Sequence, residues 1–323
     1  MYKVGLIGCG GIAPTHHSGF QATGRARIAY VYDIDSAAMQ RRAADWGAVC
    51  MGSGQEVIES DADIIALATP GFARLDYLKA AAAAGKHILS EKPIALSLGE
   101  AEQMREAVAS SSGAFHVHFT QRFNPPMVTL YRAQQAGRIG DVVSASARLL
   151  APASSARWLD IVNSGHWRAS KALSGGRINE FCSHTVNWLL WVLGRPRRVY
   201  GRALYVTEGF SLDDADVAIV ECERGTGLLE VHRHAGVPGG AGYGIVGHGG
   251  SVMLSEGRIQ LTKMDQKPTE LPVVTDVETP HEHFLRCIET GAASVNDLED
   301  AIDTLKVCLA FNRSAESGNV EAV

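Results

Sequence analysis

A glycine-rich turn near the N-terminus constrains the fold more than any other feature of this chain. The short apolar segment Lys3 to Ile7 runs into Gly8 to Ala13, which read GCGGIA. This GxGxxA pattern is typical of the turn between a buried strand and a helix that binds a dinucleotide. Its first glycine permits the tight turn, its second lets the backbone approach a pyrophosphate, and its small last residue lets the helix pack on the strand. The residues predicted to face the cofactor are Gly8, Gly10, Gly11, Ile12 and Ala13.

An acidic residue after the second apolar segment extends this prediction. Asp33 follows Ala26 to Tyr32 and lies twenty residues after Ala13. A carboxylate at this place accepts hydrogen bonds from the ribose hydroxyls of an adenosine and repels the 2′-phosphate of NADP. NAD is therefore the predicted cofactor. NADP stays an alternative, because Arg41 and Arg42 lie in the following predicted helix.

The hydrophobic pattern divides the chain near residue 120. Before it, short apolar segments alternate with helix-length segments, which indicates a parallel sheet covered on both faces. After it, one long helix is predicted from Ile178 to Leu193, followed by successive strands between Arg197 and Lys263. Successive strands without helices between them indicate an antiparallel sheet. We therefore expect an α/β protein with a Rossmann dinucleotide-binding domain at 1–120. An α+β domain at 121–323 is expected to carry a largely antiparallel open sheet, bind substrate and mediate oligomerisation.

The composition excludes several classes of partner. Thirty basic and 35 acidic residues give a net charge of −5, and neither sign forms a run of five, so no nucleic-acid footprint is present. The longest apolar stretches, such as Trp188 to Leu193, are far shorter than the ~18 residues of a membrane span. The six cysteines form no CxxC pair, which disfavours a structural zinc site and a disulfide framework. We expect a cytoplasmic protein that binds small molecules, without a membrane or nucleic-acid partner.

Several longer motifs follow one another along nearly the whole chain, and their most specific parts are an EKP triplet and a later histidine within a helix. They are VGLIGCGGIA (4–13), ADIIALATP (62–70), AAAAGKHILSEKPIALS (81–97), QRFNP (121–125), GRIGDVVSA (137–145), HWR (166–168), SGGRINEFCSH (174–184) and a closing run ending in SAESGNVEAV. In these motifs the chain resembles the Gfo/Idh/MocA oxidoreductases, the family of glucose-fructose oxidoreductase and inositol dehydrogenase.

The resemblance implies hydride transfer between NAD(P) and a secondary hydroxyl of a sugar, a cyclic polyol such as inositol, or a sugar acid. It implies that Lys92 of the EKP triplet is the catalytic lysine, that His184 is the general base and that Glu180 is the acidic residue four positions before it. A neutral imidazole is a suitable acceptor for a hydroxyl proton. The family usually has Asp at the positions of Glu180 and Asn187, and often His at that of Arg74. These departures affect the predicted substrate and proton path more than the cofactor.

The remaining site candidates lie at strand ends and in the segment before the long helix. Thr69 and Pro70 follow the apolar segment 63–68, and Glu91 and Lys92 follow the segment 87–89. Both places lie at the sheet edge where open α/β sheets bind ligands, so all four residues join the predicted cofactor site. Loop aromatics can stack on a sugar ring and arginine can bind a carboxylate. The predicted substrate-binding residues are Arg122, Asn124, Trp167, Arg168, Arg177 and Asn187, with Trp158 a further candidate.

Histidine pairs raise the question of a metal. Three His-x-His pairs occur, at 116/118, 232/234 and 281/283. Each lacks a third ligand nearby in the sequence, so we interpret the pairs as coincidental among the 12 histidines and expect no metal. His118 is the pair member that merits attention, because the apolar segment 114–119 ends near the predicted cofactor site.

Two alternative functions remain open at this stage. The same family contains NAD-dependent glycosidases, which oxidise the sugar transiently, and a ligand-sensing repressor, which makes a non-catalytic dinucleotide or sugar sensor the other alternative. The presence of Lys92, Glu180 and His184 argues against the sensor. Consecutive apolar residues at Val217–Cys222 and Gly227–Val231 further predict a homodimer or homotetramer through the sheet of the second domain.

Overall fold

The computed structural model describes residues 1–150, 164–206, 212–232 and 242–323. They form two compact units, one made of residues 1–119 and 278–302, the other of residues 120–277 and 303–323. The first break in the chain thus lies close to the predicted division at 120/121. Residues 278–302 differ from that prediction, which assigned everything after residue 120 to the second domain.

The first unit is built on a parallel sheet of six strands. They are β1 Tyr2–Ile7, β2 Ala26–Tyr32, β3 Val49–Cys50, β4 Ile64–Leu67, β5 His87–Ser90 and β6 Phe115–Val117. Their order across the sheet is β3-β2-β1-β4-β5-β6, and every pairing is parallel. This is the strand order of a Rossmann domain, so the predicted fold is confirmed.

Helices connect these strands. They are α1 Ala13–Ala22, α2 Ser36–Trp46, α3 Gly54–Glu59, α4 Leu75–Ala83 and α5 Leu98–Ala109, with a 3₁₀ turn at Gly71–Ala73. The sequence analysis missed β3 and α3, both of which are short. A start signal for α3 was nevertheless present, because Ser53 and Glu56 have capping-box spacing and the Ser53 hydroxyl accepts a hydrogen bond from the Glu56 N–H.

The second unit contains a sheet of nine strands. They are β7 Val142–Leu150, β8 Pro196–Leu204, β9 Ala215–Cys222, β10 Gly225–His232, β11 Gly242–Gly247, β12 Gly250–Ser255, β13 Arg258–Lys263, β14 Thr269–Leu271 and β15 Glu321–Ala322. Their order is β14-β13-β12-β11-β7-β10-β9-β8-β15. Within the described residues only the β7–β10 pairing is parallel. The predicted largely antiparallel sheet is confirmed.

One face of this sheet packs against helices. The described helices of the region are α6 Pro125–Gln135, α7 Lys171–Ser174 and α8 Arg177–Leu193, with 3₁₀ turns at Thr120–Phe123 and Trp167–Ala169. Ile178, Val186 and Leu189 of α8 are buried in the same core as Val220 of β9 and Leu229 of β10. The amphipathic α8 therefore lies over the sheet and carries the predicted catalytic residues of this unit.

Two further helices follow, α9 at Pro280–Thr290 and α10 at Leu298–Ser317. Phe284 and Leu285 of α9 are fully buried in the Rossmann core. A Cβ on Gly19 of α1 would lie 2.2 Å from Nδ1 of His281, so a glycine is needed where α9 packs on α1. This packing explains why residues 278–302 belong to the first unit. No helix in the described ranges is long and apolar enough to cross a membrane.

Candidate active site

The glycine turn has the geometry that a dinucleotide requires. Gly8 has φ +107°, and a Cβ there would lie 2.7 Å from the carbonyl carbon of Ala68, so only glycine fits. Hypothetical Cβ atoms on Gly10 and Gly11 would meet nothing within 4 Å, which leaves room beside the backbone. Ile12 precedes α1, and the buried Ala13 begins it. The turn therefore fits a pyrophosphate at the start of the helix.

Asp33 is fixed next to this turn. One carboxylate oxygen accepts a hydrogen bond of 2.6 Å from the Cys9 N–H, and the other accepts one of 2.8 Å from the Asp35 N–H. Carboxylate oxygens have further lone pairs, so ribose hydroxyls can still donate to them. The Arg42 guanidinium lies 5.5 Å from the ring centre of Trp46 on the same helix. This arrangement suits an adenosine ribose without a 2′-phosphate.

A buried arginine joins the two loops at the carboxyl edge of the sheet. Arg74 is 1% exposed and donates hydrogen bonds to the carbonyls of Thr69 and Pro93, with a longer contact of 3.4 Å to that of Ile94. Thr69 and Pro70 are thereby tied to the segment that follows Lys92. Sequence reasoning treated position 74 only as a departure from the family, because no local spacing shows which carbonyls its side chain reaches.

Lys92 follows β5 and is half-buried, and its peptide bond to Pro93 is cis. Its backbone N–H donates to Glu91 Oε2 at 3.2 Å. Glu91 is 6% exposed, with Oε1 lying 2.7 Å from His118 Nδ1 and 3.1 Å from His16 Nε2. Burial alone would raise the pKa of Glu91, but the two imidazoles outweigh it and hold that pKa well below its usual range. Glu91 thus holds the backbone of Lys92 from the protein interior. Its burial gives no support to the predicted direct contact with the cofactor.

In the second unit, three predicted residues come together at the start of α8. Arg168 Nε donates to Glu180 Oε1 at 2.7 Å, and its guanidinium lies 4.4 Å from the ring centre of Trp167. Glu180 is 2% exposed, whereas His184, one turn further along α8, is half-buried. The predicted acid therefore has a cationic partner, and Arg168 holds Glu180 in place.

Two predicted substrate residues are instead engaged inside the unit. Asn187 is fully buried, its Oδ1 accepts from Arg122 Nε at 2.9 Å, and its Nδ2 donates to Thr304 Oγ1 at 3.2 Å. Arg122 also lies over the ring of Trp191, at 5.7 Å from its centre. Direct substrate contact by Asn187 is therefore not supported. Asn124 is exposed at the start of α6, and Trp158 lies outside the described residues.

Arg177 is also buried, at 1% exposure, with its Nε 3.8 Å from Asp216 Oδ2. Burial raises the pKa of Asp216 to about 9, and the neighbouring Asp213 carboxylate adds to the effect. Arg177 thus faces an acidic cluster rather than an open surface, which disfavours its predicted role in substrate binding. The sequence analysis gave no function to the acidic run at 213–216.

The His-x-His pairs also differ from their interpretation as isolated coincidences. His118 and His281 lie beside His16, and these three rings form a group with metal-ligand spacing. The ring centres of His116 and His283 are 5.6 Å apart. The third histidine beside 118 and 281 is His16, which α1 supplies from a distant part of the sequence.

Family models match most of the chain. Residues 2–119 match the GFO_IDH_MocA model, described as an oxidoreductase family with an NAD-binding Rossmann fold. Residues 127–253 match the GFO/IDH/MocA C-terminal domain.

Individual relatives agree with these matches. Inositol 2-dehydrogenase from Rhizobium meliloti is 32% identical over 142 residues, which span 43% of this chain and less than half, 42%, of that relative. The scyllo-inositol 2-dehydrogenase (NAD(+)) of Bacillus subtilis is 26% identical over 286 residues, covering 81% of this chain and 78% of its own length.

A solved structure extends the likeness to the whole fold. The WlbA dehydrogenase from Bordetella pertussis, in complex with NADH and UDP-GlcNAcA, superimposes with a TM-score of 0.86 at 23% identity, covering 99% of this chain and 98% of that one. At this identity the likeness shows the fold. Together with the two family models, the glycine turn and the EKP triplet identify the chain as a member of the Gfo/Idh/MocA oxidoreductase family.

Proposed function

We propose that this protein is an NAD-dependent dehydrogenase that acts on a secondary hydroxyl of a sugar, cyclic polyol or sugar acid. The observation that carries the proposal is the carboxyl edge of the Rossmann sheet. There, a turn open at Gly10 and Gly11 lies beside a fixed Asp33, and Lys92 stands on a loop held by Glu91 and Arg74. Relatives named as inositol dehydrogenases support the substrate class.

The cofactor is held by the glycine turn and Asp33 in this proposal. The N–H groups at the start of α1 bind the pyrophosphate, and Asp33 accepts hydrogen bonds from the adenosine ribose. Thr69 and Pro70 line the adjoining strand end, and NADP binds more weakly because Asp33 repels its 2′-phosphate. Bound NAD supplies the hydride acceptor of the reaction.

We assign one chemical role to Lys92 of the first unit and another to His184 of the second unit, which Glu180 assists. The Lys92 ammonium stabilises negative charge that develops on the substrate oxygen. The His184 imidazole takes the hydroxyl proton, a role that suits a half-buried histidine. Glu180, anchored by Arg168, lies one helical turn from His184 and stabilises the imidazolium that forms after proton uptake.

The substrate-binding candidates that remain are those with accessible side chains. The half-buried Trp167 offers an indole face for the apolar side of a sugar ring. Asn124 is exposed at the start of α6. Arg122 is 7% exposed and contacts Asn187 and Trp191, so it is not among them. Trp167 and Asn124 are the first targets for mapping substrate preference by KM.

A substrate panel tests the activity. The protein is incubated with NAD and, separately, NADP against inositols, aldoses, sugar acids and nucleotide sugars, with NADH or NADPH absorbance as readout. We expect NADH to accumulate with at least one polyol, sugar or sugar acid. Release of an aglycone from glycosides without accumulation of NADH would indicate the glycosidase instead. NAD binding without turnover of any panel member would indicate the sensor.

We also propose that the protein forms a homodimer or homotetramer through the outer face of the nine-stranded sheet. Strand pairing places Tyr200, Ile219, Leu228 and Met253 in one row on that face, with Ser146 and Gly244 between the last two. Ile219 and Leu228 are each 44% exposed, unusual for large apolar side chains in a row. Light scattering is expected to give a molar mass that is two or four times the 34.5 kDa of one chain. Ile219→Asp is expected to shift that mass toward the value of the monomer. A monomeric wild type would contradict the proposal.

The cytoplasm is the proposed location, on the ground that the six cysteines lack the spacing of a disulfide framework. Fractionation of cells that express the tagged chain tests it, and recovery outside the cytoplasmic fraction would overturn it.

A further inference from the structure

Three buried histidines from separate segments of the first unit meet around one carboxylate. His16 lies on α1, His118 follows β6, His281 lies in the first turn of α9, and Glu91 follows β5. Their exposures are 0%, 2%, 3% and 6% in that order. One ligating nitrogen from each ring lies within 4.8 Å of the other two. The fold, and no local sequence motif, assembles this group.

The rings have the spacing of ligands around one ion. Their centres are 4.8 Å apart for His16 and His118, 5.3 Å for His118 and His281, and 5.4 Å for His16 and His281. An imidazole nitrogen binds zinc at about 2.1 Å, which puts the ring centre about 3.2 Å from the metal. Two such rings at a tetrahedral angle have centres roughly 5 Å apart. The three observed separations all lie near this value.

The carboxylate lies within hydrogen-bonding distance of two of the rings and supplies a fourth donor. Glu91 Oε1 is 2.7 Å from His118 Nδ1 and 3.1 Å from His16 Nε2. Two donors on one tetrahedral zinc ion are about 3.3 Å apart, so the imidazole nitrogens, which lie within 4.8 Å of one another, move closer together when the ion binds. In the part of the chain that the structure describes, the buried His16 Nε2 has no hydrogen bond of acceptable geometry, even though the Glu91 oxygen is close. A metal ion would satisfy this nitrogen.

The fold makes room for the His281 ring, because Gly19 leaves open the space that a Cβ would fill. His16 Nδ1 and His281 Nε2 lie 3.2 Å apart as a hydrogen-bonded pair. Metal binding replaces that hydrogen bond.

We propose that His16, His118, His281 and Glu91 bind one divalent transition-metal ion, for which zinc best suits the three-nitrogen, one-oxygen donor set. All four positions of a tetrahedral ion are filled by the protein, so the metal is structural. It links α1, which follows the glycine turn, to Glu91, whose other oxygen accepts from the Lys92 N–H. The ion thereby fastens the cofactor turn to the loop that carries Lys92.

Metal content of the whole protein tests this directly. The wild type is produced in minimal medium supplemented with zinc and, separately, with cobalt, then desalted into metal-free buffer and analysed by elemental mass spectrometry. We expect about one ion per chain, and the cobalt form should show the visible absorption of tetrahedral Co²⁺. Less than about 0.1 ion per chain from both media would overturn the proposal.

A matched pair of variants locates the ion. His281→Gln removes one ligand at similar side-chain volume. The control is His17→Gln, at the residue next to His16. The His17 ring stacks on Trp46, with the two ring centres 4.6 Å apart. Metal content is expected to fall at least tenfold in His281→Gln and to stay at the wild-type level in His17→Gln. Full metal content in His281→Gln would overturn the assignment. If that variant does not fold, His118→Gln replaces it, and the cobalt spectrum of the wild type decides without any variant.

Discussion

Two buried carboxyl groups, one in each unit, have opposite electrostatic surroundings. Glu91, at the sheet edge of the first unit, has two imidazoles within 3.1 Å, and its pKa is held well below the usual range. Asp216, in β9 of the second unit, is fully buried with the Arg177 Nε at 3.8 Å and a second carboxyl nearby, and its pKa is raised to about 9. The first carboxyl has a set of partners built around it. The second lacks sufficient compensation for its burial. The buried charge of Glu91 thus supports the loop that carries Lys92, whereas the burial of Asp216 is an energetic cost that the fold tolerates.

The largest expected effect concerns the residue that Glu91 supports. Lys92→Ala should lower kcat about 10³-fold, because it removes a cation from the developing oxyanion, while NAD affinity changes little. Steady-state kinetics and a separate NAD titration measure the two quantities. Lys79→Ala, an exposed lysine on α4, serves as the control and should retain wild-type kcat. A kcat within about threefold of wild type for Lys92→Ala would contradict its assigned role.

The second prediction concerns the charge of Glu91 itself. Glu91→Gln replaces the anion between His16 and His118 by a neutral amide, and we expect it to lower the free energy of unfolding by about 2–4 kcal/mol. Chemical denaturation at neutral pH measures the loss. Glu102→Gln is the control, since that side chain is 53% exposed and pairs with Arg105 at the surface, where an ion pair contributes little. Equal stability of the two variants would show that the imidazoles do not stabilise Glu91.

Features dictated by the backbone were predictable from the sequence. The glycine turn and the position of Lys92 follow from residues whose conformations admit few alternatives, such as Gly8 at φ +107°. The alternation of strands and helices in the first unit was also predicted, although β3 and α3 were missed. The long apolar pattern of α8 likewise gave its bounds to within one residue, Arg177–Leu193 against the predicted Ile178–Leu193. For these elements, local sequence carries the necessary information.

Partnerships between distant residues were not predictable. Arg74 reaches the Pro93 carbonyl, Arg122 pairs with Asn187 65 positions away, and His281 joins His16 across 265 positions. Arg177 and Asn187 of α8 were predicted to bind substrate, but both are held by such partners. A single sequence gives the spacing within a helix but not the side chains that other segments bring to it.

The third prediction concerns the first unit at its cofactor end. Asp33→Ser should weaken NAD binding by about 1–3 kcal/mol, the usual size of a charge-assisted hydrogen bond. It should also reduce the preference for NAD over NADP. The ratio of kcat/KM for the two cofactors is the measurement, and Asp45→Ser, an exposed position on α2, is the control. A wild type that prefers NADP would show that Asp33 does not contact the ribose.

The smallest expected effect has the opposite sign and tests the second unit. The pKa of Asp216 is about 9 in the folded chain, so it keeps its proton up to about that pH, whereas in the unfolded chain its pKa returns to the ordinary value of 3.8. The folded state therefore binds more protons between these limits, so this group's contribution to stability falls as the pH rises through that interval. Asp216→Asn mimics the protonated form at every pH. Its melting temperature relative to that of the wild type should rise with pH, and the difference should be about 2–6 °C larger near pH 8.5 than near pH 5. Asp141→Asn, at an exposed position, should show no such divergence. A constant difference between Asp216→Asn and the wild type across this range would mean that Asp216 is ionised in the folded protein and that Arg177 compensates its burial.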